Sequence, residues 1–332
     1  MIAPDRIRRI MTVAMIAVAV CVLAAGCFTF PAPTANPPTA TAITPTPDGV
    51  QTDVPHEAPP NSETCDATAS LRPEPMPEPG QMPVRSTMAG IIERGRLIVG
   101  LDIGSNLFSF RDPISGDIQG FDVDIAKAIA AAIFGEAGTP IEFRVLSSAE
   151  RTQALQDNSV DIVVKTMSIT CDRLRSVDFS APYYIAYQRI MTLRSSNITD
   201  ADGLAGKRVC AARGSTSIGR LQSIAPRARM VTTTTWADCL VMMQQNQADA
   251  VSTDDAILAG LAEQDPWVQV TGPSLGEEAY GVGIPKGKED MVRFVNGVLE
   301  QVRTSGQWQQ IYNRWLSILG YSNGPPIPRY RD

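Results

Sequence analysis

Arg173 is the residue whose position first raises a question of chemistry. It lies in the segment ITCDRLRSVDFSAPYY (residues 169–184), a few residues after an apolar, strand-like run and in a stretch that turns before the next element. The chain has a single histidine, His56, which lies in a proline-rich stretch. Ser-His-Asp and Cys-His catalysis therefore lack a base, and a zinc site would have to form without imidazole. We predict neither a metal nor a cofactor.

The composition fits a large globular body and gives no sign of nucleic-acid binding. Of the 332 residues, 44% are hydrophobic, which suffices for a large core or for two lobes. The formal net charge is −6, from 29 Lys and Arg against 35 Asp and Glu. Because no basic block or stripe is present, binding to nucleic acid has no electrostatic support.

The N-terminus has the pattern of an export signal, predicted over residues 1–26. An apolar run over residues 10–25 follows three arginines, Arg6, Arg8 and Arg9. The sequence LAAGC then resembles a bacterial lipobox, in which Cys27 is acylated, for example with palmitate. It departs from the commonest lipobox because Ala24, not Leu23, stands three positions before the cysteine. A plain secretory signal and a single membrane anchor are the alternatives. All three place the body outside the cytoplasm, and the first prediction is a lipoprotein on the cell membrane.

Four further cysteines remain in the exported part of the chain. An even number outside the cytoplasm predicts two disulfides, with three possible connectivities. We favour Cys210–Cys239, which would tie a strand end to the following helix, and Cys65–Cys171, which would pin the N-terminal extension to the lobe carrying Arg173. Four free thiols are the alternative. No CxxC spacing occurs, so a redox or zinc motif is not expected.

The segment from residue 27 to residue 84 is rich in Pro, Thr and Ala and predicts an extended tether between lipid and globule. From residue 86 strand and helix patterns alternate, which predicts an α/β fold with mainly parallel sheets. Two similar β-α runs, joined twice by extended strands, predict two lobes with a cleft between them. We assign residues 85–192 and 285–332 to lobe 1 and residues 193–284 to lobe 2. Within lobe 1, Phe121, Ile125, Ile129 and Ala132 share one face at helical spacing before Gly135, which predicts a helix that stops there.

Four stretches occur in a fixed order along the chain, and together they carry a family resemblance. They are RLIVGLD followed by GDIQGFDVDIAKAIA, then DIVVKTMSITCDRLRSVDFSAPYY, then RGSTS after a strand, then ADAVSTDDAIL. They resemble the polar amino-acid solute-binding proteins, family 3, of ABC transporters, over about residues 88–320. The lipobox and tether further resemble actinobacterial glutamate/glutamine-binding lipoproteins. The resemblance implies a two-lobed periplasmic-binding-protein fold (type II), with two hinge strands and a ligand cleft.

The resemblance also implies roles for individual residues. Arg173 would hold the α-carboxylate of an amino acid in a bidentate fork, with help from the hydroxyl and backbone N–H of Ser168. The carbonyl of Thr166 would accept from the ammonium group, and Asp254 would pair with it. From the other lobe, the free N–H groups at a helix start would attract the carboxylate; this start is Ser215, Thr216 and Ser217.

Simpler interpretations stand beside these. Arg173 would otherwise be a surface arginine near Asp172 and Asp178, and the Gly214 segment an ordinary turn. Either Asp254 or Asp255 would otherwise cap the following helix. We favour Asp254 as the ligand residue because of its position in the motif.

Side-chain specificity points to an acidic ligand. Ser105 and Asn106 stand where the family often places an aromatic residue, which disfavours stacking on a flat guanidinium. Arg189 resembles the arginine that glutamate/aspartate binders use for the distal carboxylate, and Lys165 is a second candidate cation; either is otherwise solvent-facing. A buried carboxylate without a cation would be costly. We therefore predict glutamate and aspartate ahead of glutamine and asparagine.

Three functions are compatible with ligand binding in the cleft. The first is delivery of the amino acid by a monomer to ABC permease subunits, through cleft closure. The second is a sensor that signals through a membrane partner, which co-purification would distinguish from transport. The third is an enzyme of the dehydratase or lyase type, which needs a general acid or base in the cleft. We predict that the protein is not an enzyme; turnover of prephenate or arogenate would reverse that view.

Overall fold

The computed structural model describes residues 45–52, 54–55, 65–135 and 140–332, all of them in the compact unit Pro45–Asp332. The predicted signal peptide, the lipidation residue Cys27 and His56 lie outside the described residues. In the described part of the chain, no helix combines the length and the apolar character that crossing a membrane requires.

The described helices are α1 (Thr87–Arg94), α2 (Phe121–Phe134), α3 (Arg151–Gln156), α4 (Cys171–Leu174), α5 (Thr216–Ile224), α6 (Trp236–Gln244), α7 (Asp255–Ala262), α8 (Glu289–Thr304) and α9 (Gln307–Trp315), with short 3-10 turns at Asp202–Leu204 and Ser317–Leu319. The described strands are β1 (Gln51–Thr52), β2 (Ala69–Ser70), β3 (Leu97–Leu101), β4 (Gly104–Ser105), β5 (Ser109–Arg111), β6 (Ile118–Gln119), β7 (Ile141–Val145), β8 (Ile162–Val163), β9 (Val177–Phe179), β10 (Tyr184–Leu193), β11 (Arg208–Ala212), β12 (Arg229–Thr233), β13 (Ala250–Asp254), β14 (Val268–Tyr280), β15 (Gly283–Pro285) and β16 (Arg329–Tyr330).

Two mixed sheets form the centres of the two lobes. The first has the order β7-β3-β8-β15-β9, with β3 parallel to β7 and β8 and with β15 antiparallel. The second has the order β1-β12-β11-β13-β10-β14, with β11 parallel to β12 and β13. A hairpin sheet of β4, β5 and β6 and a small pair of β2 and β16 complete the pattern. Parallel strands with helices between them are what the alternating sequence pattern predicts.

β10 and β14 are long antiparallel partners that run from one lobe into the other. Tyr184 and Ala186 on β10 belong to the hydrophobic core of the first lobe, whereas Ile190 and Met191 belong to that of the second. A register shift between Gln188 and Ile190 lies where β10 changes lobe. The chain therefore crosses between the lobes on two extended strands. The lobe limits assigned from the sequence stay a prediction.

In helix α2, the apolar residues predicted to share one face are the ones that pack in the core. Phe121, Ile125 and Ile129 are fully buried in the first core, and the helix ends at Phe134 with Gly135 as its C-cap. Burying such side chains contributes roughly 1.5–3 kcal/mol each. The helix and its stop are confirmed.

Part of the predicted tether is folded. β1 pairs antiparallel with β12 at the edge of the second sheet, and β2 pairs with β16 near the C-terminus. The structure contains the disulfides Cys65–Cys171 and Cys210–Cys239, the two pairs that the sequence analysis favours.

Candidate ligand-binding site

A polar cavity lies between the two lobes at the carboxyl ends of strands, where ligands bind in α/β sheets. Lobe 1 contributes residues that follow β7 and β8, and lobe 2 contributes residues that follow β11, β12 and β13. The lining residues are Ser148, Arg151, Thr166, Ser168, Ser215, Thr216, Ser217, Trp236, Thr253, Asp254 and Ile257. Six of the predicted ligand residues are among them.

Arg173, on α4, is not among the residues that line the cavity, but it is bonded to both of its sides. Its guanidinium donates through Nη1 to the carbonyl of Ser168 at 2.6 Å and through Nη2 to the carbonyl of Gly214, in the other lobe, at 2.9 Å. The side-chain oxygen of Thr170 accepts from the backbone N–H of Arg173 and caps α4. Burial lowers the pKa of Arg173. Among the described residues no carboxylate forms an ion pair with it.

Arg151 is a second cation at the cavity, and the sequence analysis missed it. It is 3% exposed and donates to the carbonyls of Ser148 (3.0 Å), Lys165 (2.9 Å) and Gly214 (3.2 Å). Burial and the nearby charge of Arg173 lower its pKa to about 9. In sequence it is one of several polar residues in a predicted helix, so nothing marks it as buried. The one available signal was its place shortly after the carboxyl end of β7.

The carbonyl of Thr166 also accepts from Arg151, at 3.3 Å, while its N–H donates to the buried carboxylate of Asp122 at 2.9 Å. Thr166 has a positive φ of 39°, so the backbone turns sharply as it leaves β8. Ser168, two residues on, places its hydroxyl 3.3 Å from that of Thr216 across the cleft. Both predicted residues therefore line the cavity, and the Thr166 carbonyl has a protein donor.

The start of α5 faces lobe 1 across the cleft. Ser215 is its N-cap but makes no side-chain cap bond, and its hydroxyl donates to the carbonyl of Ala212 at 2.7 Å. Thr216 donates to Glu278 at 2.9 Å, and Ser217 donates to Thr253 at 3.3 Å. The backbone N–H groups of this first turn have no partner within the helix, which is the arrangement that attracts an anion.

Asp254 ends β13 and offers a carboxylate oxygen to the cavity. It is 4% exposed; Oδ2 accepts from the hydroxyl of Tyr280, while Oδ1 has no hydrogen-bond partner among the described residues. Burial and the neighbouring Glu278 raise its pKa to about 7. It makes no cap bond to α7, whereas Asp255 accepts from the N–H of Ala256 at 2.8 Å. Of the two neighbouring carboxylates, Asp254 is the one at the cavity.

The structure does not bring Lys165 or Arg189 into this set. Lys165 is buried, and its Nζ lies 2.6 Å from Oδ2 of Asp102, so its charge is already paired. Burial raises the pKa of Asp102, but the contact with Lys165 outweighs it and the net shift is downward. Arg189 pairs with Thr253 in the sheet, but its side chain does not line the cavity. Asn106 instead links the lobes by donating to the carbonyl of Gly260 at 3.2 Å.

Comparison with known proteins accounts for this architecture. The family described as "Bacterial extracellular solute-binding proteins, family 3" matches residues 97–318. The chain belongs to this family. The predicted type II, two-lobed fold is confirmed: the ArgBP of T. maritima, a solved structure with this fold, is 28% identical, with a TM-score of 0.65 over 69% of this chain and 99% of that one.

Individual family members show how far the likeness extends. The chain is 34% identical to the glutamine-binding protein GlnH of an ABC transporter in Bacillus subtilis, over 70% of this chain and 85% of that protein. It is 28% identical to the glutamate-binding protein GluB of Corynebacterium glutamicum, over 66% of this chain and 78% of that protein. A solved ancestral arginine-binding protein bound to glutamine is 31% identical, with a TM-score of 0.63 over 67% of this chain and 98% of that one.

As a member of this family the chain is an extracytoplasmic solute-binding protein, and its relatives GlnH and GluB are named for the amino acids that they bind. Among the described residues no group of His, Cys, Asp and Glu side chains is arranged to hold a metal ion. Arg151 from lobe 1 lines the cavity, as do the start of α5 and Asp254 from lobe 2, and Arg173 lies beside it.

Proposed function

We propose that this protein binds a free polar amino acid in the cleft, with glutamate and aspartate ahead of glutamine and asparagine, and delivers it to an ABC permease. One observation carries the proposal. Two guanidinium groups without an ion-pair partner among the described residues, those of Arg151 and Arg173, lie opposite Asp254, whose Oδ1 is buried and unpartnered. The carboxylate of an amino acid would pair with the guanidinium groups, and its ammonium group would pair with Asp254.

The α-carboxylate fits between Arg173 and the start of α5. A guanidinium presents two parallel donors to a carboxylate, and charge-assisted bonds of this kind are stronger than neutral ones. The free N–H groups after Ser215 supply further donors from the other lobe. The α-ammonium fits Asp254, because a cation there would remove the cost of an ionised carboxylate that has one unbonded oxygen.

The side chain of the ligand is assigned to Arg151. Burial and the nearby charge of Arg173 both lower the pKa of Arg151, to about 9, and a guanidinium in such surroundings needs an anion. A γ- or β-carboxylate neutralises the Arg151 guanidinium better than an amide does, which supports acidic ligands. The relatives named as glutamine-binding and glutamate-binding proteins support the same range of ligands.

Closure of the cleft would couple binding to delivery. The lobes already touch through Arg173 and Gly214, and a ligand held by both lobes would favour this arrangement over an open one. We further propose that acylated Cys27 holds the protein at the outer face of the membrane, near the permease, and that it acts as a monomer without catalysis.

The test is a thermal-shift screen of the purified protein lacking residues 1–27 against all common amino acids. A ligand at 100 times its dissociation constant adds about 2.7 kcal/mol to the free energy of unfolding. We expect glutamate or aspartate to give the largest shift. Arg173→Ala should remove it, since the main partner of the α-carboxylate is lost. An Arg173→Ala variant that keeps the wild-type shift, or a wild-type protein that no amino acid stabilises, would contradict the proposal.

A further inference from the structure

Helix α4, which carries Arg173, is short and only partly packed. Of its four residues, Cys171–Leu174, one is exposed, Asp172, and the other three are half-buried. A helix this short gains almost nothing from its own hydrogen bonds, because nucleating a turn is unfavourable. Its position therefore depends on ties to its surroundings. These are the packing of Leu174 against the hydrophobic cluster that includes Phe179, the Thr170 cap, a bond from Lys286 Nζ to the carbonyl of Leu174 at 2.7 Å, and the disulfide from Cys171 to Cys65.

The other end of this disulfide is anchored to the body of lobe 1. A few residues after Cys65, Ser70 donates from its hydroxyl to the carbonyl of Phe179 at 2.9 Å. Asn296, which is 1% exposed, donates to the hydroxyl of Ser70 at 2.8 Å and to the carbonyl of Leu71 at 2.7 Å. The bridge thus connects the half-buried α4 to a segment that α8 and the strand β9 hold in place.

From α4, which this bridge anchors, the guanidinium of Arg173 reaches the other lobe. It bonds to the carbonyl of Ser168, in its own lobe, and to that of Gly214, in the opposite one. A shift or loosening of α4 would move both contacts, because Arg173 lies only two residues after Cys171. Misplacement of a charged fork costs affinity, since its donors must match both oxygens of a carboxylate.

We propose that the Cys65–Cys171 disulfide is a positioning element for Arg173 and so sets the affinity of the cleft for the ligand's α-carboxylate. The inference rests on the proposed function. It gives the N-terminal extension a role in binding and makes binding sensitive to reduction of one bond. In that reduction a dithiol supplies two electrons and two protons, two cysteine thiols form, and the dithiol becomes a cyclic disulfide.

The two disulfides differ in access, which makes the bond testable in the unmodified protein. Cys65 is exposed and Cys171 half-buried, whereas Cys210 and Cys239 are 0% exposed. Thiolate attack requires access to a sulfur, so mild dithiothreitol should reduce Cys65–Cys171 first. Mass spectrometry after alkylation would identify the two modified cysteines.

The experiment measures L-glutamate affinity by calorimetry for the wild type and for Cys65→Ser/Cys171→Ser. We expect the variant to bind about tenfold more weakly, which is the order of the cost of ordering one side chain on binding. The wild type after selective reduction should lose affinity to the same extent and regain it on reoxidation. This second arm decides the question if the variant does not fold.

Two comparisons separate positioning from general stability. In an Arg173→Lys background, removal of the disulfide should change affinity less than about twofold, because non-additive effects mark residues that act together. The matched control is Cys210→Ser/Cys239→Ala, in the core of lobe 2, which should lower the melting temperature and leave affinity unchanged.

Equal affinity of oxidised and reduced wild type would overturn the inference, and so would an equal loss in the Arg173→Lys background. In both cases wild-type binding of L-glutamate would leave the proposed function intact. If the wild type bound no amino acid at all, the proposed function and this inference would fail together.

Discussion

Arg151 and Arg173 direct two cationic side chains at one carbonyl oxygen, that of Gly214, at 3.2 and 2.9 Å. A neutral carbonyl cannot balance two charges, and burial lowers the pKa of both groups. Opposite them, Asp254 keeps one oxygen without a partner among the described residues. At the scale of residues, the ligand proposed above, a zwitterion with a further anionic group, would supply counter-charges to these groups.

The first prediction at this scale concerns ligand choice. Arg151→Ala should weaken binding of glutamate about tenfold or more and of glutamine much less, because a carboxylate loses a charged partner and an amide loses a weaker bond. Calorimetry with both ligands measures the difference. Arg189→Ala is the matched control, since it removes an arginine of the hinge region that does not line the cavity. If Arg189→Ala reduced the selectivity for glutamate more than Arg151→Ala did, Arg189 would be the partner of the distal carboxylate.

The second prediction concerns pH. Burial and Glu278 raise the pKa of Asp254 from 3.8 to about 7, and pairing with an ammonium group requires the ionised form. Affinity for glutamate should therefore fall about tenfold between pH 7.5 and pH 5.5, while the carboxylates of the ligand stay largely ionised. In the ligand-free protein the sign is opposite: the stability that Asp254 contributes is complete below pH 3.8 and is lost as pH rises through about 7.

Calorimetry across this pH range gives the first test, and Asp254→Asn gives its control. The asparagine cannot ionise, so its weaker binding should be nearly independent of pH over the same interval. If affinity of the wild type did not change between pH 7.5 and pH 5.5, Asp254 would not be the partner of the ammonium group.

At the scale of elements, the turn between β11 and α5 decides how closely the lobes approach. Gly214 has a φ of 74°, and a Cβ built there would lie 2.5 Å from the Cα of Ala149 in lobe 1. Only glycine avoids both the backbone strain and the collision. The same turn exposes the first N–H groups of α5 to the cavity, so contact between lobes and anion binding share one element.

Gly214→Ala should accordingly weaken ligand binding about tenfold or more, because the added methyl group meets lobe 1 only when the cleft is closed. Strain at positive φ adds about 1–3 kcal/mol to the cost of folding in either form. Small-angle scattering should show less compaction on adding glutamate. Gly219→Ala, inside α5 with no atom near its Cβ, is the control and should bind normally with slightly higher stability. If Gly214→Ala compacted normally on adding glutamate, the turn at Gly214 would not determine how closely the lobes approach.

At the scale of the whole molecule, two lobes around two hinge strands are joined to an N-terminal extension that contacts both. Residues 45–52 and 54–55 lie on lobe 2, where Val50 and Val54 pack against its core and Gln222 donates to the carbonyl of Pro55 at 2.9 Å. The segment beginning at Cys65 lies on lobe 1. The folded extension therefore continues the body of the protein toward its proposed anchor.

The prediction at this scale is that Cys27→Ser releases the protein from the membrane fraction, since lipid would be its attachment. Fractionation followed by immunoblotting measures the change, with the wild type as the retained control. Continued retention of the variant would indicate an uncleaved membrane segment in place of lipid.

The alternation of strands and helices indicated the α/β class, while the type II fold and the candidate site residues followed from the resemblance of four motifs to a family. The motif around Arg173 indicated Ser168 as its neighbour, and the guanidinium of Arg173 bonds to the carbonyl of Ser168. Arg151 was not predicted, because its contacts with the carbonyls of Lys165 and Gly214 join residues that are distant in sequence. Lys165 was misjudged for the same reason: its partner, Asp102, stands far away in sequence and meets it only in the folded sheet.

The pairing of β1 with β12 has a practical consequence for protein production. β1 is short, and it covers the backbone of Val231 and Thr232 at the rim of the six-stranded sheet. An expressed fragment that started at Cys65 would leave this rim open, and uncovered strand edges invite pairing between molecules. Such a fragment is expected to self-associate with rising concentration, whereas one that starts at Pro45 is expected to stay dispersed.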